Sequence, residues 1–380
     1  MSAGGEQVDW SFLSGRRIID CSALIPGPYA TVLLADLGAD VLKVERPQGD
    51  LSRFNDRRFS AFNRNKRSVV LDLKTATGRD AFLDLARTAD AVVEGFRPGV
   101  MDRLGLGWDV LRRVNPGLVM CSISGFGQDG PYAHKPGHDL NFLGLSGFFG
   151  VPARADGLVT RPGVRVADLI GGLYAALSLS VALASVERTG VGQHLDVSLT
   201  DATAACFAPF TLALPEAAPA TSGELVMGDN DVFDTQDGGR LVLAAFEDTS
   251  WRLFRTSLAE EFPELRTDEY DDRLTRTRHA DAVGALLRTV FQQRPLVWWH
   301  DRLSALEHVS GLPWTPLIAT PSELLEHPVL HARELFVPTI SAEGDLVTQA
   351  RFPTRFSNGL DTFRSPAPKL GEHDHEPTRW

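Results

Sequence analysis

From residue 16 to residue 126 the spacing of hydrophobic positions switches repeatedly between two periods. Five short apolar runs predict strands: 17–23 (RIIDCSA), 40–45 (DVLKVE), 68–73 (SVVLDL), 91–96 (AVVEGF) and 118–123 (LVMCSI). Between them, 29–37 predicts a helix stopped by Gly38. Residues 75–89 predict another, with Phe82, Leu83, Leu85 and Ala86 as its apolar positions. Strands alternating with helices predict an α/β unit whose parallel sheet is covered on both faces. Ligands of such sheets bind outside the carboxyl ends of the strands. The segments 22–28, 46–50, 96–99 and 124–131 therefore carry the most weight.

Residues 168–188 predict a long Ala- and Leu-rich helix that ends before Gly190, and its Gly171-Gly172 pair admits a close neighbouring backbone. A strand at 195–199 and a helix at 200–214 follow. Residues 215–229, rich in Pro, Gly and Ala, predict a linker or loop. The run 232–245 predicts a β-hairpin around Asp237-Gly238-Gly239. Helical pattern continues from 249 to about 306, with Trp298 and Trp299 in its core. From 315 the chain is Pro-rich and predicts extended structure returning to the first domain. The division is 1–214 as a large domain, 215–230 as a linker, 231–320 as a small α+β domain and 321–380 as the return.

At 380 residues, two domains are the default expectation. The formal net charge of −11 argues against wholesale nucleic-acid binding, though a local basic patch can still hold phosphates. Such a patch is suggested by Arg46, Arg64, Lys66, Arg67, Lys74, Arg97 and Arg103, which follow the early strands. A solvated charged face is the alternative. There is no G-x-G-x-x-G, no Walker loop and no metal-ligand spacing. Cys21, Cys121 and Cys206 lie far apart in apolar contexts, as small core residues do. The polar start MSAGGEQVDW does not read as a secretory signal, and no run of about 18 uninterrupted apolar residues predicts a membrane span. The expected location is the cytoplasm.

Three residues suggest chemistry. His138 lies in Gly137-His-Asp-Leu-Asn-Phe142, Asp168 opens the long apolar helix, and Glu247 follows the predicted hairpin. A histidine and a carboxylate facing one carbon from opposite sides would remove a proton and return one to the other face. Taken singly, each also has an ordinary reading: a structural histidine, a helix N-cap and a surface carboxylate. No Ser-His-Asp triad is legible, because no G-x-S-x-G occurs.

Many motifs in order make the family resemblance specific. They include Ile25-Pro-Gly-Pro28, Leu37-Gly-Ala-Asp-Val-Leu-Lys-Val-Glu-Arg-Pro47, Asn63-Arg-Asn-Lys-Arg-Ser68, Glu94-Gly-Phe-Arg-Pro-Gly99, Ser124-Gly-Phe-Gly-Gln-Asp-Gly-Pro131 and Gly190-Val-Gly-Gln193. Over nearly its whole length the chain resembles the class III coenzyme A transferases, a family that also contains the α-methylacyl-CoA racemases. The resemblance implies a Rossmann-like large domain that binds coenzyme A, a small α+β domain and an interlocked homodimer. It implies an acyl-CoA substrate and no cofactor beyond its CoA moiety. By motif position, Arg46, Leu71, Lys74, Phe96, Arg97 and Arg103 would hold the nucleotide end of CoA, with Asp139 and Phe142 also at the CoA site.

Transferases of this family use an aspartate nucleophile, and Asp168 occupies its position. Racemases use the same aspartate opposite a histidine in a GHDxNY-like motif, paired with a glutamate after a DGG hairpin. His138 and Glu247 match those places, so the resemblance implies a racemase of 2-methylacyl-CoA thioesters, with a CoA-transferase and a non-catalytic acyl-CoA-binding protein as alternatives. Three features depart from the racemase pattern: Ala167 where Gly is usual, Phe142 where Tyr is usual, and a polar Val226-Met-Gly-Asp-Asn-Asp231.

Overall fold

The computed structural model describes residues 12–151, 160–212, 227–310, 312–357 and 363–376, with the side chains of 308–310 excepted. The polar N-terminus and most of the expected linker lie outside the described residues. The chain forms two compact units. One comprises Met1–Phe148, Arg161–Pro209 and Pro328–Trp380, and the other Phe149–Thr160 and Phe210–His327.

In chain order the first unit contains β1 (Arg17–Asp20), α1 (Pro26–Asp36), β2 (Asp40–Glu45), α2 (Asp56–Asn63), β3 (Lys66–Val70), α3 (Ala76–Ala86), β4 (Ala91–Glu94), α4 (Val100–Arg103) and α5 (Trp108–Val114). It continues with β5 (Val119–Ser124), α6 (Asp139–Leu145), α7 (Val166–Thr189), β6 (His194–Ser198) and α8 (Leu199–Thr211). The six strands are all parallel, in the order β3-β2-β1-β4-β5-β6. This is the doubly wound order of dinucleotide-binding folds, in which the order reverses between β1 and β4. The crevice outside that reversal point is where ligands of such sheets sit.

The strands are runs of buried Ile, Val and Leu, as a sheet covered on both faces requires. Phe82, Leu85, Leu106 and Leu111 cover the Ile19, Leu42 and Val92 side. Helix α1 starts three residues earlier than the apolar pattern predicts, because Pro26 suits the first helical turn. The third strand lies two residues earlier than predicted, since Lys66 and Ser68 turn inward to carboxylates. Helix α7 likewise begins before Asp168, with Arg165 at the cap and Asp168 at its third residue. Asp168 is therefore not an N-cap.

By length and composition α7 is apolar enough to cross a membrane, a helix the uninterrupted-run criterion passed over. One side of it is buried, and its glycines are the reason it packs so closely. A Cβ on Gly172 would fall 2.7 Å from the Pro26 carbonyl of α1, and one on Gly171 would fall 2.1 Å from the Leu199 side chain. The close approach expected of this pair is thus observed. It brings the first turns of α7 beside the start of α1, at the carboxyl end of β1.

The second unit pairs β7 (Asn230–Asp234), β8 (Arg240–Ala244) and, further along the chain, β9 (Trp314–Pro316) in an antiparallel sheet. The helices α9 (Asp248–Leu258), α10 (Arg273–Arg278), α11 (Ala280–Phe291) and α12 (Leu296–Ser310) lie between β8 and β9 in the chain. Its core holds Phe233, Leu243, Trp251, Phe254, Phe291 and Trp299. Trp298 is only partly buried against it. The predicted hairpin forms, with Gly238 left-handed (φ +78°) in the turn.

Beyond β9 the extended reading is corrected. Two short helices, α13 (Pro321–Glu326) and α14 (Pro328–Ala332), precede an antiparallel hairpin of β10 (Phe336–Ile340) and β11 (Leu346–Ala350). The prolines start those helices rather than prevent them, and Thr320 and Glu323 form a capping box. The last described segment lines the edge of β3, where Ser68 N–H donates to His373 Nδ1 and Val70 N–H to Asp374.

Candidate active site

The basic residues after the early strands divide into two sets. Lys66 is fully buried, 3.0 Å from Asp20, and Lys43 is buried 2.9 Å from Asp50. Arg64 grips Asp36, and Arg67 lies 2.8 Å from Asp40. Arg64, Lys66 and Arg67 are therefore removed from the expected phosphate patch, because carboxylates of β1, α1 and β2 claim them. Arg46, Lys74, Arg97 and Arg103 remain exposed. None of them pairs with a carboxylate among the described residues. They follow β2, β3 and β4 or lie in α4, so they rim the carboxyl-terminal side of the sheet. Leu71 and Phe96 are half-buried beside the core there. Such a rim can hold a polyphosphate.

The loop after β1 is built with care. Its Lys43 contact runs through the Ser22 carbonyl (3.0 Å), and Leu24 adopts a left-handed backbone (φ 67°) with its N–H on Asp50. A Cβ at Gly27 would overlap Ser22, so only glycine lets α1 begin there. Across the reversal point, Gly95 after β4 lies against Ser22.

His138 and Asp168 come from the starts of successive helices. His138 is exposed and immediately precedes α6, and its N–H donates to Asn141 Oδ1 at 3.0 Å. Asp139 is buried, and its Oδ1 accepts the backbone N–H of Asp168 at 3.1 Å. That bond ties the start of α6 to the start of α7. The Asp168 carboxyl, in the first turn of α7, is largely withdrawn from water. A helix N-terminus favours a carboxylate, yet burial and the nearby Asp139 charge outweigh it and Arg165. The Asp168 carboxyl is pushed up to about 7.

Asp139 and Phe142, expected at the CoA site, are both buried. Phe142 is buried edge-on against Phe126, with ring centroids 5.2 Å apart. It fills the space that Cβ atoms on Gly125 and Gly137 would need, at 2.3 and 2.6 Å. Phe142 thereby supports the Gly-rich loop from below. Glu247 immediately precedes α9 in the second unit and is exposed. Arg276 bonds the Phe246 carbonyl and the Asp248 carboxylate on either side of it. Sequence reasoning missed the Asp139 contact to Asp168; adjacency to His138 was its only signal. Cys21 and Cys121 are buried as expected, whereas Cys206 is half-exposed with Sγ 3.9 Å from the Tyr174 hydroxyl.

Comparisons with known proteins agree on one family. A family model described as CoA-transferase family III matches residues 13–374. A succinate–glutarate CoA-transferase of Agrobacterium fabrum is 34% identical over 381 residues, covering 95% of this chain and 93% of the relative. An acetyl-CoA:oxalate CoA-transferase of Acetobacter aceti is 36% identical over 374 residues, covering 94% and 92%. The crystal structure of a CAIB/BAIF family protein from Brucella suis superimposes with a TM-score of 0.81 at 30% identity, covering 96% of this chain and 97% of that one.

Proposed function

The chain belongs to CoA-transferase family III, and from that premise we propose that it moves coenzyme A from an acyl-CoA to a carboxylic acid, with Asp168 as nucleophile. The observation that carries this reading is the Asp168 carboxyl, desolvated in the first turn of α7 and raised to about 7. Such a carboxylate is more basic and more nucleophilic than one in water, yet it is substantially ionised at neutral pH. The names of the relatives add support and suggest short dicarboxylic acids as substrates.

In this mechanism the Asp168 carboxylate attacks the thioester carbonyl, forming an acyl–aspartyl anhydride and releasing CoA thiolate. The thiolate attacks the aspartyl carbonyl; the donor acid leaves and Asp168 becomes a CoA thioester. The acceptor carboxylate then displaces the thiolate, giving a second anhydride. The thiolate finally attacks the acceptor's acyl carbonyl, which releases the new thioester and restores Asp168. The positive end of α7 favours the oxyanion formed at each attack. Arg46, Lys74, Arg97 and Arg103 would anchor the CoA phosphates.

The racemase expected from the histidine motif stands as a second reading. Its support is that His138 and Asp168 come from two helix starts joined through Asp139. Isotopes separate the two. With succinyl-CoA as donor and an ¹⁸O-labelled dicarboxylate as acceptor, transfer leaves label in the peptide containing Asp168, because the bridging oxygen stays with the enzyme. Racemisation leaves none; instead it places deuterium on the α-carbon of a 2-methylacyl-CoA in D₂O without an acceptor. Asp168→Ala is expected to lower transfer at least about 10⁴-fold, the scale on which loss of a covalent nucleophile is felt.

A further inference from the structure

Glu94 is the last residue of β4 and is buried beside the sheet's reversal point. Its Oε2 accepts the Phe96 N–H at 2.7 Å across the tight turn that delivers Phe96 and Arg97 to the surface. The Ser122 hydroxyl of β5 bonds the same carboxyl, and it also lies 2.9 Å from His194 Nε2 of β6. Trp108 of α5 stacks on that imidazole, with ring centroids 5.9 Å apart. Asp196 of β6 lies nearby and accepts the Gln128 N–H of the Gly-rich loop at 2.9 Å. The turn after β4 is thus backed by the Glu94–Ser122–His194 chain, and the loop after β5 by Asp196 beside it.

We propose that Glu94 is a positioning residue for coenzyme A, its buried carboxyl fixing the Phe96–Arg97 turn and so setting the affinity of the adjoining basic rim for phosphates. This rests on the reading of that rim as the CoA site. The titratable groups facing Glu94 are Asp102 from α4, Asp196 from β6, Cys121 from β5 and Cys21 from β1, with His194 of β6 reached through Ser122. No cation is among them, in contrast to the buried carboxylates of the other strands. Burial and the two aspartates push the Glu94 carboxyl up to about 7.

The protonated form suits anion binding best. Its carbonyl oxygen still accepts the Phe96 N–H, while its O–H is donated to Ser122 Oγ. The single Ser122 proton then turns to His194 Nε2, whose proton affinity burial lowers against the opposing pull of Asp196 and Asp102. Ionisation reverses that chain and adds a negative charge behind the turn that meets the phosphates. Affinity for CoA therefore falls as pH rises through about 7.

The test is calorimetric titration of the full-length protein with free CoA between pH 5.5 and 8.5, with circular dichroism as a folding control. Glu94→Ala should weaken CoA about tenfold, the upper worth of one ordinary hydrogen bond, and raise KM for the acyl-CoA more than it lowers kcat. Glu94→Gln imitates the protonated form, so it should bind as the wild type does at low pH and lose the step near neutrality. An identical pH profile in wild type and Glu94→Gln, or unchanged CoA affinity in a folded Glu94→Ala, overturns the positioning role. Arg97→Ala is the reference. If it binds CoA like the wild type, the reading of the rim has failed and the proposal falls with it.

Discussion

Asp20 and Glu94 end neighbouring strands, both are buried, and both hold a serine hydroxyl. Their chemistry is opposite. Around Asp20, burial raises the pKa, but Lys66 at 3.0 Å and Lys43 more than reverse it, so the carboxyl is held well below the usual range. Around Glu94 the neighbouring charges are Asp102 and Asp196, and the carboxyl rises to about 7. Asp168, desolvated beside Asp139, is of the second kind. Burial raises both carboxyls, and the two lysines reverse it only at Asp20. The β1–β3 half of the sheet pairs its buried carboxylates with lysines and arginines, while Glu94 of β4 and Asp168 of α7 are raised to about 7, where a proton or a nucleophile is useful.

The largest expected break in this contrast is Lys66→Met. It leaves Asp20 buried with one cation fewer and should destabilise the fold by about 3–5 kcal/mol, read from urea unfolding. Adding Asp20→Asn should restore much of the loss; if the double variant is no better than the single one, the pair is not the source.

Next in size is the acid limb of transferase activity. Asp168 must be ionised to attack, so kcat/KM should be lost as pH falls through about 7. Asp139→Asn keeps an oxygen for the Asp168 N–H but removes the like charge, so it should move that limb to lower pH. A limb that stays in place excludes Asp139 as its cause. The same shift has a stability consequence. Asp168 binds its proton more tightly folded than unfolded, so its contribution to stability declines as pH rises from the ordinary carboxylate range through about 7. Asp168→Asn should remove that decline in a series of unfolding curves.

The smallest expected effect is Lys74→Ala. Exposed and unpaired, it should raise KM for the acyl-CoA a few-fold with kcat and melting temperature unchanged. A change in kcat would place it elsewhere in the reaction.

Most of the large unit was legible because its signals are local: the run DVLKVE is β2 residue for residue, and Gly190 ends α7 in the left-handed conformation. In the second unit, the Asp237-Gly238-Gly239 turn closes its hairpin for the same reason. The C-terminal region misled because proline was read as a breaker, whereas in α13 and α14 it opens the helix. Among the candidate site residues, motif order pointed to Asp168 and to the basic residues after the early strands. It had no means of separating Arg97 from Lys66, since one stands free and the other is held by a carboxylate 46 residues earlier in the chain.

By itself the sequence determined the alternation of strand and helix, the parallel sheet and the membership of a coenzyme A family. Hydrophobic period, turn residues and short motifs are all written within a few residues of one another. Tertiary structure alone decided which basic residues remain available to a phosphate, that Asp139 holds Asp168, and that Asp20 and Glu94 differ in charge. Each of those depends on which distant groups share a desolvated space, and electrostatic energy is set by that separation rather than by distance along the chain.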